Sequence, residues 1–327
     1  VPDEDLNDVT VRGRIVTNIS WETPRMPGLD VAPPVAKKVI GIAGRFAPDI
    51  SELLVPYILA QAIEHALAAS KDIALRFYDT FCDRKHSVSI CEGVEKLLHE
   101  AIDALCVIYP EPEDVEAILT SAQCTRTPVL FISPEVLSEP VAQVYIDHRY
   151  DGYQAAKYFL DMGHKEILYI HLAEHHWSYE RLKGIQAAAR FAGLPESAVR
   201  VHPESGADQL PGHPESFLKP LQAWARTELS RGTLRGALIA ANDQVALSIL
   251  DVAEAIGVTT NSGFSLLGFD DVPQARRRGL TTLRPPLYDM GREAARLLET
   301  LLNQGEIRGE SIHSRMISQI VVRSSAA

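Results

Sequence analysis

Two stretches of the chain carry side chains whose types and spacing could do chemistry. In HLAEHHWSYE, His171, Glu174 and His175 spell H-x-x-E-H, an order used by zinc peptidases. That chemistry needs both imidazoles on one helix face, turned toward a metal. Here the segment leaves an apolar strand-like run and enters a loop, and no further ligand is evident, so no metal is expected. A loop at the mouth of a binding site is the better reading. In it Trp177 is placed either to stack on the apolar face of a ligand or to cover a core edge, with His175 and His176 beside it. The second stretch is LIAANDQVALSIL, residues 238–250. It reads as a buried strand running into a helix through Asn242 and Asp243. One of the two can cap the helix by accepting from its free N–H groups. The other is then free to face the crevice at the strand's carboxyl end, where open α/β sheets bind ligands. Enzyme signals are poor: GIAG after the first strand lacks the third glycine and the spacing of a dinucleotide fingerprint, and there is no G-x-S-x-G or P-loop. An α/β enzyme is the least favoured alternative.

The elements that must position these residues follow from composition and period. A chain of 327 residues with 46% hydrophobic content fills two domains of ordinary size. Its net charge of −11 argues against a phosphate-binding surface over most of its length, because nucleic-acid affinity rests on Lys and Arg neutralising phosphates. Cys82, Cys91, Cys106 and Cys124 show no C-x-x-C spacing, which fits buried free thiols in a reducing cytosol better than a disulfide framework or a zinc site. No run approaches the ~20 apolar residues of a membrane span, and a cytoplasmic location is expected. The chain opens on Val1, as a fragment or a processed protein would. Residues 1–37 are rich in proline and charge without a sustained period, and read as a linker or loosely docked arm with a single strand at 11–20.

From Lys38 a regular alternation predicts strand 39–44, helix 54–69, strand 72–78, helix 87–101, strand 104–110, helix 112–123 and strand 128–133. A second series follows: strand 141–147, helix 151–162, strand 166–172, helix 178–193, strand 199–202, helix 214–230, strand 237–241 with its helix, and strand 264–270. A helix at 289–303 and a strand at 317–325 end the chain. Strands separated by helices of this length imply right-handed crossovers and parallel sheets. Two such series of similar length suggest two similar lobes with a small-molecule cleft between them.

GYQAAKYFLDMGHKEILYI, RLKGIQAAARFAGL, AANDQVALSIL, SLLGFDD and LTTLRPPLYDMGREAARLL resemble, in order and at suitable spacing, the successive segments of the effector-sensing domain of LacI/GalR transcriptional regulators. The likeness is strongest over residues 144–298 and holds only in outline over the first lobe. It implies an α/β, periplasmic-binding-protein-like type I fold of two Rossmann-like lobes. The first would take residues 38–146 and 276–307, and the second 147–275 and 308–327, with the effector in the cleft. It implies no cofactor and no catalysis. The partners would be a sugar-like small molecule, a second copy of the chain, and DNA reached through an upstream module. Residues 1–37 do not supply the family's helix-turn-helix, and a GntR-type winged helix is the other arrangement. An extracytoplasmic sugar-binding protein of a transporter is the rival reading, since it shares the fold. Gly279 departs from the family, which often has proline before LTT.

The resemblance carries three polyol contacts onto Arg181, Asn242 and the first carboxylate of GFDD, Asp270. An Arg fork, an acceptor carboxylate and an amide together match the alternating donors and acceptors of a sugar. With Asn242 on the ligand, Asp243 is the expected cap. Asp147 matches an acidic position at the crossover and is open to a hinge or a ligand role. The first lobe is expected to add residues just past its strands: Arg45 and Phe46, Asp79 and Thr80, Tyr109 and Glu111, and Ser133. For any one of these a solvated loop residue is the ordinary alternative.

Overall fold

The computed structural model describes residues 37–46, 51–80, 89–134, 136–172, 175–202, 214–260, 263–304 and 311–326. The expected arm up to residue 36, its strand at 11–20, Cys82 and Glu174 lie outside the described residues. The described chain divides into two compact units, one drawn from Val1–Tyr145 and Leu287–Ser314, the other from Ile146–Pro286 and Arg315–Ala327. The last two crossings therefore fall after 286 and 314, not after 275 and 307 as expected. Residues 281–284 form a strand of the second sheet, and that pairing keeps the segment in the second unit.

In the first unit, β1 (Lys38–Gly44), β2 (Ile73–Asp79), β3 (Ala104–Ile108), β4 (Val129–Ser133), β5 (Ala142–Ile146) and β11 (Ile312–Met316) form a six-stranded sheet in the order β11-β5-β4-β3-β1-β2. β1 to β5 pair in parallel. The central strands β1 and β3 are almost wholly buried, as their unbroken apolar runs require of strands covered on both faces. The helices between them are α1 (Ser51–Leu67), α2 (Ile90–His99) and α3 (Val115–Thr125), joined from the far end of the chain by α9 (Leu287–Gln304). α2 starts where the Ser89 hydroxyl accepts from the Glu92 N–H, a serine cap of the usual kind. It then buries Ile90, Val94, Leu97 and Leu98 on one stripe. Cys106 is a buried free thiol, Cys91 is half-buried and Cys124 is exposed, so the expected burial of the thiols does not extend to Cys124.

In the second unit the sheet order is β12-β10-β9-β8-β6-β7, from β6 (Ile167–Ile170), β7 (Val199–His202), β8 (Gly236–Ala240), β9 (Phe264–Phe269), β10 (Thr281–Arg284) and β12 (Gln319–Val321). β12 runs antiparallel to β10, while β6 to β10 pair in parallel. One face is covered by α4 (His148–Asp161) and α5 (His176–Phe191) over Phe159, Tyr169, Ile185, Ile239 and Phe269. The other is covered by α6 (Pro214–Arg231) and α7 (Asp243–Ala255) over Leu221, Leu238, Ile249 and Leu266. The short α8 (Pro273–Arg277) follows β9. The expected closing strand 317–325 is shorter than predicted. Ser318 is drawn aside by Asp151, which accepts from its N–H and its hydroxyl, and residues 324–326 form a single 3-10 turn. Gly279 has φ +64°. Proline, locked near −65°, is excluded from this turn, which accounts for the departure at that position.

Candidate functional site

Each sheet gathers polar residues at the carboxyl ends of its parallel strands. The second unit's edge is the more fully built. Arg181 stands in the second turn of α5 with only 5% of its surface exposed. Its guanidinium lies between two rings, 4.6 Å from the Trp177 centroid and 4.0 Å from that of Phe269. Such stacking suits a planar, weakly hydrated cation. In the plane of the group, Nη1 donates to the Ala241 carbonyl at 2.5 Å and Nη2 donates to His148 Nδ1 at 3.2 Å. Asp270 Oδ1 lies 3.9 Å from Nη2.

His148 opens α4 and is buried. Burial and the facing Arg181 hold its pKa well below the ordinary imidazole value. The ring is therefore neutral. Because Nδ1 accepts from Arg181, Nε2 carries the proton and is a donor. Neither that Nε2 nor Arg181 Nε has a hydrogen-bond partner among the described residues, although both atoms are buried. Folded proteins leave few such groups unpaired, so an oxygen-rich ligand at this edge has donors waiting for it.

Asp270 follows β9 with φ 108° and Asp271 follows it with φ 53°. Two consecutive non-glycine residues in this region cost free energy and persist only where the surroundings enforce them. Burial raises the Asp270 pKa to about 6, against the pull of Arg181, and its side chain keeps 31% exposure. It is thus the accessible acceptor of this edge.

The cap falls on Asn242 and not, as expected, on Asp243. Asn242 has extended backbone, φ −153° and ψ 177°, and its Oδ1 accepts from the Val245 N–H at 2.9 Å. Asn242 is the cap of α7, and what it has left for a ligand is its amide NH2 group. Asp243 is fully buried one residue further on, inside the helix, where its carboxylate takes the Thr282 hydroxyl at 2.7 Å and the Val272 N–H at 3.0 Å. It ties α7 to the 270–272 turn. Either residue type can cap, so the sequence pattern could not separate them; the extended backbone at 242 decides.

Asp147 is a cap as well: Oδ1 accepts from the Tyr150 N–H at 2.8 Å, while Oδ2 meets Arg315 at 3.1 Å. Trp177 is half-buried and stacked between the Arg181 guanidinium and the His175 ring, whose centroid is 5.0 Å away at 17°. This supports the core-edge reading of Trp177 and adds a role, covering one face of the cation. His171 is buried, its Nδ1 2.8 Å from Ser178 Oγ, while His175 and His176 are exposed. Among the described residues no group of three or more His, Cys, Asp or Glu gathers as metal ligands. His148, Phe269, Asp151 and Asp271 were not singled out from the sequence. Phe269 and Asp271 flank Asp270 within GFDD, and His148 follows Asp147, so adjacency to a motif was the available signal.

In the first unit the residues expected past the strands do share one sheet edge. The Phe46 N–H donates to Asp79 Oδ1 at 3.0 Å, and the Thr80 N–H and hydroxyl both reach the Gly44 carbonyl. Tyr109 leaves β3 at φ 54°, with its N–H on the Ile132 carbonyl. Ser133 is buried, Arg45 is half-buried, and Glu111 is an exposed residue at the start of a 3-10 turn.

The second unit is thus a parallel α/β sheet whose strand ends present a sandwiched Arg, a partly exposed carboxylate and a capping amide. The chain belongs to the periplasmic binding protein-like domain family, whose model matches residues 156–326. Among its relatives, the arabinose metabolism transcriptional repressor of Halalkalibacterium halodurans is 28% identical over 158 residues, 47% of this chain and 40% of the relative. The HTH-type transcriptional repressor PurR of Escherichia coli is 27% identical over 220 residues, 66% of this chain and 61% of the relative. The chain thus spans less than two thirds of the length of these curated relatives. A LacI family transcriptional regulator from Enterococcus faecium with bound ribose has the same fold, with a TM-score of 0.66 at 19% identity, covering 89% of this chain and 99% of that one. The lac repressor dimer bound to operator and an anti-inducer gives 0.66 at 18% identity, covering 89% and 94%.

Proposed function

We propose that the chain is the effector-sensing part of a bacterial transcriptional regulator of LacI type and that its effector is a sugar or sugar derivative. The observation that carries this reading is the pair of buried donors without partners, Arg181 Nε and His148 Nε2, beside the half-open acceptor Asp270. Two donors, a carboxylate and the spare NH2 of Asn242 match a run of neighbouring hydroxyls, each of which both donates and accepts. Arg181 is held by stacking and by Ala241 before any ligand arrives, so little ordering is left to be lost on binding. The relative named for arabinose repression and the neighbour solved with ribose support the choice of ligand class. At the first unit's own strand ends, Phe46, Asp79, Tyr109 and Arg45 are proposed as ligand-contacting residues of that edge. The chain binds its effector without turning it over. It acts as a homodimer, and DNA is reached through a module other than the residues described. Binding then changes DNA affinity as a coupling free energy between two sites.

The test is a thermal-shift screen followed by calorimetric titration with D-ribose, L-arabinose, D-xylulose and cellobiose, since a ligand specific to the folded state raises apparent stability. At least one sugar is expected to bind, and Asp270→Ala is expected to weaken that sugar at least ten-fold. Failure of all four sugars, or a hit indifferent to Asp270→Ala, overturns the reading. Sedimentation that shows a monomer at micromolar concentration removes the dimer.

A further inference from the structure

The turn that presents Asp270 is held by a cluster of charged side chains behind it. The Asp271 side chain is fully buried at 0% exposure and is met by three guanidinium groups. Arg276 Nε and Arg284 Nε donate to Oδ2 at 3.2 and 2.5 Å, and Arg323 Nη2 donates to Oδ1 at 2.5 Å. The three arginines come from three different places: α8, the end of β10, and the segment after β12. Arg323 is fixed in turn by donating through Nη1 to the Leu280 carbonyl. From the opposite side the Asp271 N–H faces Thr282 Oγ1 at 3.4 Å, and Asp243 holds both Thr282 and the next N–H, that of Val272.

A carboxylate buried this deeply is tolerable only when charged donors surround it. Three of them fix its position much more tightly than one surface pair would. Asp270 is held more loosely: its N–H donates to the Leu283 carbonyl at 2.8 Å, and its carboxylate has Arg181 Nη2 at 3.9 Å. Its φ of 108° is disfavoured for any side chain with a Cβ, and the chain relaxes from such a conformation when its neighbours let go.

We infer that Asp271, with Arg276, Arg284 and Arg323, is a positioning unit for the proposed effector site: it enforces the backbone conformation that aims Asp270 at the ligand. The inference rests on the reading of Asp270 as an effector contact, and it places control of the site in arginines at the sheet's β10–β12 side. Without the clamp, Asp270 turns away from Arg181 and toward solvent.

The test compares wild type with Asp271→Asn and with the double variant Arg276→Ala/Arg284→Ala. Asparagine accepts left-handed backbone as readily as aspartate, so Asp271→Asn removes the charge and keeps the local preference. The arginine pair is half-exposed and serves where Asp271→Asn fails to fold. Arg278→Ala is the control for lost surface charge, since Arg278 pairs with Asp251 and not with Asp271. The first readout is the titration of the Asp270 carboxyl carbon by NMR with 13C-aspartate, assigned through Asp270→Asn. It is expected near 6 in wild type and in Arg278→Ala, and to fall toward the ordinary carboxylate value in the clamp variants. The second is the affinity for whichever of D-ribose, L-arabinose, D-xylulose and cellobiose binds wild type, expected to drop at least ten-fold in the clamp variants and less than two-fold in the control. An Asp270 titration unchanged in the clamp variants overturns the inference whether or not a sugar binds. If the titration moves while no sugar binds, the positioning stands and the sugar reading fails.

Discussion

At the scale of the residue, the contest between Asn242 and Asp243 decides how the candidate site works. Asn242 caps with Oδ1 and retains a donor group, whereas Asp243 is committed to Thr282 and Val272. Asn242→Ala should therefore cost about 1 kcal/mol of stability and weaken the effector, while Asn242→Asp keeps the cap and loses only the donor. Urea unfolding alongside sugar titration separates the two effects. Asp243 also makes a prediction about pH. Burial, and then the charge of Asp270, raise its pKa from 3.8 to about 8, so the folded state holds its proton more tightly than the unfolded chain does. That contribution is complete below pH 3.8 and is lost as pH rises through about 8. His148 and His171 act in the opposite sense: burial depresses both below 6.5, so their contribution is present above 6.5 and is lost only at lower pH. Above pH 6.5 Asp243 is thus left as the dominant raised carboxyl, and the melting temperature should fall between neutrality and pH 8. Asp243→Asn should flatten that slope in calorimetric scans, and an unchanged slope would show that the proton resides elsewhere.

At the scale of the element, the long helices and long strands were legible because their apolar periods are strong, and the expected and observed spans differ by a few residues. Three short elements, α8, β10 and β11, were not. β10 is four residues, TTLR, too short and too polar to announce a strand; it exists because β9 and β12 flank it. The other hidden feature is how α4 and α5 cross. At Gly152 a Cβ would land on the Arg181 carbonyl, and at Gly184 one would land on the Arg149 carbonyl. The two helices touch backbone to backbone, and Arg181 and His148 are brought together by that closeness. No period reveals this, because a glycine inside a helix reads only as a weak point. Replacing either glycine by alanine forces the helices apart at an overpacking cost of about 1–3 kcal/mol. It should also shift Arg181 and Trp177, which share α5, away from His148 on α4, whose ring centroid lies 6.3 Å from that of Trp177. Gly184→Ala is thus expected to lower the melting temperature and to change Trp177 emission together, judged against a Trp177→Phe background. A loss of stability with unaltered Trp177 emission would mean that the crossing does not set the position of Arg181.

At the scale of the whole molecule, the two α/β series were legible in the apolar periods, whereas Arg181, Asn242 and Asp270 came from the resemblance to the LacI/GalR segments and no period singles them out. The sequence misplaced the later crossings, because the period is silent on which sheet a short strand joins. It was equally silent on the clamp behind Asp270, which depends on arginines distant in sequence. Charge leads to the last prediction. The chain carries −11 overall, and its most basic run, Arg276 to Arg278, is not an open phosphate surface: Arg276 is bound to Asp271, and Arg278 to Asp251 and Glu254. Duplex binding draws most of its free energy from unpaired cations that displace counterions, and here two of the three, Arg276 and Arg278, already have carboxylate partners. No helix among the described residues is long and apolar enough to cross a membrane. The 327-residue chain by itself should leave duplex DNA unshifted in a gel at about 0.15 M salt, with and without a bound sugar. A sugar-dependent shift by this chain alone would place DNA contacts within it and refute the assignment of that task to a separate module.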